Sequence, residues 1–143
     1  MMQAFSAGPS SAYALAFLTG GAFNPADATT YYFGNIPAAP VTGSTSRPLW
    51  IPRAGTIKAI YGSAVMAGTG TTENSTLSFR LNDTTDTAIT TTLDLSASRV
   101  DFSNTALSIA VAAGDWCSIK WATPTWVTNP TSLVFIATAL VEI

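Results

Sequence analysis

The sequence predicts an all-β fold, an antiparallel sandwich or jelly roll preceded by an extended N-terminal arm. Three observations lead there. Gly and Pro break the chain into short pieces. Between the breaks, apolar and polar residues alternate with a period of two, as a half-buried strand requires. No segment keeps a helical period; the Ala-rich run at residues 10–18 is too short to stand alone as a helix.

Along the chain, Tyr13–Thr19 reads as a strand or as part of the arm, and Gly20, Gly21, Asn24 and Pro25 break it. Thr29–Phe33 (TTYYF) is β-branched and aromatic. Residues 34–48 form a long loop rich in Gly, Pro, Ser and Thr. Leu49–Ile51 lies between Pro48 and Pro52, which suits an edge. Arg53-Ala54-Gly55 turns into a longer strand, Thr56–Met66, where alternation puts Ile57, Ala59, Tyr61, Ser63 and Val65 on one side. In Thr76–Asn82, Leu77, Phe79 and Leu81 point inward; Ile89, Leu93 and Leu95 do so in Ala88–Leu95. Asn82-Asp83-Thr84-Thr85-Asp86 makes the turn between them. Short strands follow at Val100–Phe102 and Leu107–Val111. Ala113-Gly114-Asp115 turns into Trp116–Trp121, and the loop from Pro124 to Pro130 carries Trp126.

The closing segment, Leu133 to Ile143, reads LVFIATALVEI with Glu142 as its only charge. Leu133, Phe135, Ala137, Ala139 and Val141 fall on one side, Val134, Ile136, Thr138 and Leu140 on the other. A strand of a two-layer β protein shows one apolar face and one polar face. One that is apolar on both faces needs a second cover, and the expected cover is another copy of the chain. Phe135, Ile136 and Leu140 are therefore the candidate oligomer-interface residues.

Composition narrows the function. The chain has 143 residues, 48% hydrophobic and only 10% charged, against about 25% charged in an average domain. One domain is expected, with residues 1–28 as the arm and 29–143 as the folded unit. A charge-poor surface fits a protein that buries itself against partners. No apolar run is long enough for a membrane helix. The six Lys and Arg residues are scattered, and the net charge is −2, which argues against direct nucleic-acid binding. No Lys or Arg precedes the apolar run after residue 12, so a secretory leader is not expected.

Histidine is absent, which removes the Ser-His-Asp triad, the Cys-His pair and most zinc sites together. Cys117 is the only cysteine and reads as a buried apolar residue. Asp83 and Asp86 are the closest acidic pair, in a turn that uses Asn and Asp for backbone bonding; a calcium site there is the lesser reading. Asp115 caps the Gly114 turn. No enzyme, cofactor or metal is expected. Trp126 is the candidate contact for a partner or a glycan, since an exposed ring in its loop could stack on a sugar.

The stretch from about Thr56 to Ile143, roughly 60% of the chain, resembles the jelly-roll modules of bacteriophage virions. These include capsid cement (decoration) proteins and the trimeric tips of tail fibres. The residues that carry the resemblance are Pro52-Arg53-Ala54-Gly55-Thr56-Ile57, Leu81-Asn82, Leu107-Ser108-Ile109 with Val111, Ala113-Gly114-Asp115 and the apolar closing strand. The last two features are also similar to complement-type and tumour-necrosis-factor-like jelly rolls. The resemblance implies a homotrimer with closing strands near a threefold axis. It further implies a cement protein on the outer capsid surface, bound across major capsid protein subunits, with a receptor-binding fibre tip or adhesin reading host glycan as the alternative.

Overall fold

The computed structural model describes residues 11–36 and 38–143. In chain order the strands are β1 (Ala12–Thr19), β2 (Thr30–Phe33), β3 (Asn35–Ile36), β4 (Leu49–Trp50), β5 (Gly55–Val65) and β6 (Asn74–Leu81). They continue as β7 (Thr85–Asp94), β8 (Arg99–Asn104), β9 (Ile109–Val111), β10 (Trp116–Ala122) and β11 (Val134–Glu142). One sheet runs β3-β1-β11-β5-β8, with β9 also on β5; the other runs β2-β10-β6-β7, with β4 also on β10. Setting aside the short β3, β4 and β9, the remaining strands in chain order lie as 1-8-3-6 and 2-7-4-5. That winding is a jelly roll, two antiparallel sheets interleaved by Greek-key connections. The expected fold class is the observed one.

The inner faces of the sheets interdigitate. Phe135 of β11 stacks on Phe33 of β2 at 5.1 Å between centroids and meets Trp121 of β10 edge-on at 4.9 Å. Phe17 of β1 meets Phe79 of β6 edge-on at 6.1 Å. Trp121 is fully buried, and its indole N–H is satisfied by the Ser75 hydroxyl at 2.8 Å. That bond removes the cost of burying a lone donor.

Two expectations change. The described part of the expected arm is a strand inside the sheet. β1 pairs antiparallel with β11 from Ala12↔Glu142 to Leu18↔Ile136, while β3 pairs with the Leu18–Thr19 end of its other edge. The folded unit therefore starts well before residue 29, because Leu15 and Phe17 alternate inward as core residues. Residues 1–10, the rest of the arm, lie outside the described residues. Phe135, expected at a subunit boundary, is instead fully buried between the sheets. Replacing Phe135 with Ala empties a site ringed by aromatics, and urea denaturation should show a loss of about 3–5 kcal/mol.

Candidate interaction surface

The two sheets turn very different outer faces to the surroundings. On the β2-β10-β6-β7 sheet the outward side chains of Arg80, Asp86 and Lys120 are charged and joined. Arg80 Nε bonds Asp83 Oδ1 at 2.8 Å, and its Nη1 bonds Asp86 Oδ1 at 2.6 Å. Lys120 Nζ reaches the other Asp86 oxygen at 2.7 Å. The Arg80 guanidinium lies 5.6 Å from the Tyr32 ring centroid, and the Ser44 hydroxyl donates to Asp83 at 2.9 Å. Register explains the cluster: Arg80 of β6 sits opposite Asp86 of β7. The acidic turn thus belongs to an ion-pair network. Among the described residues no group of three or more His, Cys, Asp or Glu could hold a metal.

The other sheet is apolar outside. Its outward positions are Ala14, Ala16 and Leu18 on β1, Ile136, Thr138 and Leu140 on β11, and Ala59, Tyr61, Ser63 and Val65 on β5. No charged residue occurs in β1, between Ala59 and Val65, or between Val134 and Val141. Tyr61 is 57% exposed, Ile136 58% and Leu140 43%. These are large apolar surfaces left in water. Three strands about 4.8 Å apart and about seven residues long give a face of roughly 330 Å² in projection. A patch of that size on a monomer commonly marks a binding surface.

Two details shape the face. A bulge on β5 at Lys58, where the ladder steps from Leu140↔Ala59 to Val141↔Ile57, shifts the register against β11. Ile57 therefore points inward while Tyr61 points outward, although both share parity, and Ile60 joins the core. A shallow groove of about 600 Å³ runs beside Tyr61, Ser63, Val65, Ile136 and Thr138, with Arg99 and Asp101 of β8 on its far bank. Gly62 sits in its floor, where a Cβ would stand 2.6 Å from the Ile136 carbonyl and strike the Phe102 ring. Arg99 pairs with Asp101 at 2.8 Å, and the Ser63 hydroxyl donates to the same carboxylate at 2.6 Å. The face has an apolar centre and a polar rim, the layout of a protein–protein interface.

Of the expected interface residues, the structure places Ile136 and Leu140 on this face and Phe135 beneath it. Tyr61, Val65 and the β1 alanines join them; alternation keeps Ala59, Tyr61, Ser63 and Val65 together, but the bulge turns Ile57 out of that set and into the core.

Trp126 is not on a usable surface. It is 4% exposed, packs 6.1 Å from Trp121, and its amide donates to Asp27 Oδ1 at 3.2 Å. Asn129 Nδ2 also donates to Asp27, at 2.8 Å, so this loop is stitched to the chain before β2. The ring fills one end of the sandwich and cannot stack on a glycan. Cys117 is buried, and the apolar surroundings push its thiol up to about 12, which leaves it protonated and unreactive. Asp115 accepts from the Ala112 amide at 2.8 Å and from Asn82 Nδ2 at 3.0 Å, and both bonds hold its carboxyl below the ordinary range.

No family model matches the sequence, and no curated protein does. Among solved structures, the chain is similar to a crystal structure of FlhE, with 10% identity over 95% of this chain and 100% of that one, at a TM-score of 0.49. It is also similar to a structure of desmodium yellow mottle tymovirus, with 9% identity over 99% of this chain and 93% of that one, at a TM-score of 0.31. Likenesses at this level say nothing about activity or partners.

The ion-pair network makes stability pH-dependent. The hydrogen bond from Arg80 is the main cause of the lowered Asp83 pKa. Burial pushes Asp86 up, but the hydrogen bonds from Lys120 and Arg80 outweigh it and leave it lowered. Lowered carboxylates favour the folded state above their ordinary pKa, and that stability is lost as pH falls through the lowered values. The melting temperature should therefore drop from about pH 5 downward. A variant carrying Asp83→Asn and Asp86→Asn should start lower at neutral pH and show a flatter profile over the same window.

Proposed function

We propose that this protein is a structural component of a phage virion, a homotrimeric cement protein that binds the outer capsid across neighbouring major capsid protein subunits. The observation that carries this reading is the contrast between the two outer faces. One sheet is finished for water by the Arg80–Asp86–Lys120 network. The other leaves Tyr61, Val65, Ile136 and Leu140 uncovered around a charge-free centre. A second copy is the cover we assign. The face alone spans about two fifths of the roughly 800 Å² per partner that a stable interface buries. Its polar rim, with Arg99, Asp101 and Glu142, supplies contact of the kind that surrounds such centres.

The work of such a protein is mechanical, and no catalytic role is assigned to any residue. Each copy bound across subunits adds contact area that must be broken before the shell comes apart, so binding stabilises the assembled state. Support for the virion comes from the jelly-roll winding and from the sequence resemblance to phage cement modules. Residues 1–10 carry no charge and are assigned to the capsid contact, where an extended segment can pair as an added strand. Because β1 is part of the sheet, a clean truncation must stop before Ser11.

Two measurements test this. Leu140→Asp or Ile136→Asp should convert trimers to monomers by light scattering with the β-rich circular dichroism intact, since both side chains are already half exposed. A well-folded trimer carrying either change would put the threefold interface elsewhere. Removal of residues 1–10 should leave the trimer intact and abolish co-sedimentation with capsids stripped of the protein; undiminished binding would sink the role of that segment.

A further inference from the structure

We propose that Trp50 and Trp116, with Asn82 and Asp115 beside them, form a saccharide-binding site at one end of the β4-β10-β6 sheet. The site stands apart from the apolar face, and only the choice of bacterial saccharides for its test rests on the virion reading. Trp50 of β4 is the antiparallel partner of Trp116 of β10. Asn82 continues the row on the far side, where its amide donates to the Trp116 carbonyl at 2.8 Å and its Oδ1 accepts from the Trp116 amide at 3.0 Å. Cys117, the next residue of β10, points into the core, so Trp116 and its row neighbours face outward. Trp50 is 62% exposed, and an indole left in water contributes little to the core.

The platform is rigid. The Ile51 amide donates to the Asp115 carbonyl at 2.8 Å, and the Gly114 amide donates to the Ile51 carbonyl at 2.9 Å. Gly114 turns the chain at φ 88°, and the Asp115 carboxylate is pinned by Ala112 and Asn82. Binding capacity is left over. Asn82 has a second side-chain N–H, and each Asp115 oxygen has a further lone pair. A pyranose offers the matching surface, an apolar C–H face for the indole and a rim of hydroxyls for a fixed amide and carboxylate. A protein anchor would sit in apolar surroundings. Here the Trp116 row carries the exposed Asn82, bonded to Asp115, and the continuous apolar surface lies on the other sheet.

The test uses the full chain on a printed array of bacterial lipopolysaccharide and capsular polysaccharide repeats, followed by titration of tryptophan fluorescence with the saccharides that bind. The expected result is saturable binding that Trp50→Ala weakens by about tenfold or more, with Trp50→Phe recovering part of it. The melting temperature of Trp50→Ala should match the parent, because the side chain lies mostly in solvent. No saturable binding anywhere on the array overturns the proposal, as does unchanged affinity in Trp50→Ala. A Trp50→Ala protein that loses capsid attachment while the parent shows no saccharide signal would overturn it too, and would make this surface a protein contact. Trimer formation should be unaffected by either Trp50 change, which separates this site from the β1-β11-β5 face.

Discussion

The position of β11 between β1 and β5 is the constraint on which the rest of the molecule depends. Seven register pairs join it to β1, and its ladder with β5 runs from Val134 to Glu142. A jelly roll closes only when its last strand slots between the first and the third, so these contacts join residues from opposite ends of the chain. Phe135 then carries the closure inward. Its ring touches Phe33, Phe102 and Trp121, which belong to three other strands. The sheet cannot open at β11 without also separating the two layers.

That central position has a consequence for the outer face. A strand flanked on both sides cannot hide its outward side chains at an edge, so Ile136, Thr138 and Leu140 stand in the middle of the exposed surface. Alanines at Ala14 and Ala16 on one flank keep the surface low and flat, and Gly62 with its small neighbours opens the groove on the other. On the opposite sheet, Arg80, Asp86 and Lys120 hold charges at the corresponding places. The two faces are built from the same alternation and differ only in what fills the outward positions. One remains stable in water alone, and the other gains by being covered.

Most of the strands were legible from the sequence, because alternation and turn residues are local signals. The Asn82–Asp86 turn, the Gly114 turn and the inward sets of β6 and β7 all follow from neighbouring residues. Legibility failed where a distant partner decides. A bulge is visible only in the pairing of β11 with β5, and it separates Ile57, which turns inward, from Tyr61, Ser63 and Val65, which stay outside. The sequence leaves Tyr13–Thr19 between strand and arm, since an Ala-rich segment gains its place only from the strand beside it. For Trp126 the sequence leaves packing and an exposed loop ring both open, because the segment that fixes its loop, at Asp27, lies far away in the chain.

By itself, then, the sequence determined an all-β chain with few charges, no histidine and a closing strand apolar on both faces. These are properties of residue identity and of a two-residue period, and they hold whatever packs against what. Only the tertiary structure decided which of those two faces is core. It assigned Phe135 to the interior and Ile136 and Leu140 to the surface, buried Trp126, and left Trp50 beside Trp116 in the open. The physical reason is that burial depends on pairing between segments far apart in the chain, and a one-residue shift in that pairing exchanges inside for outside.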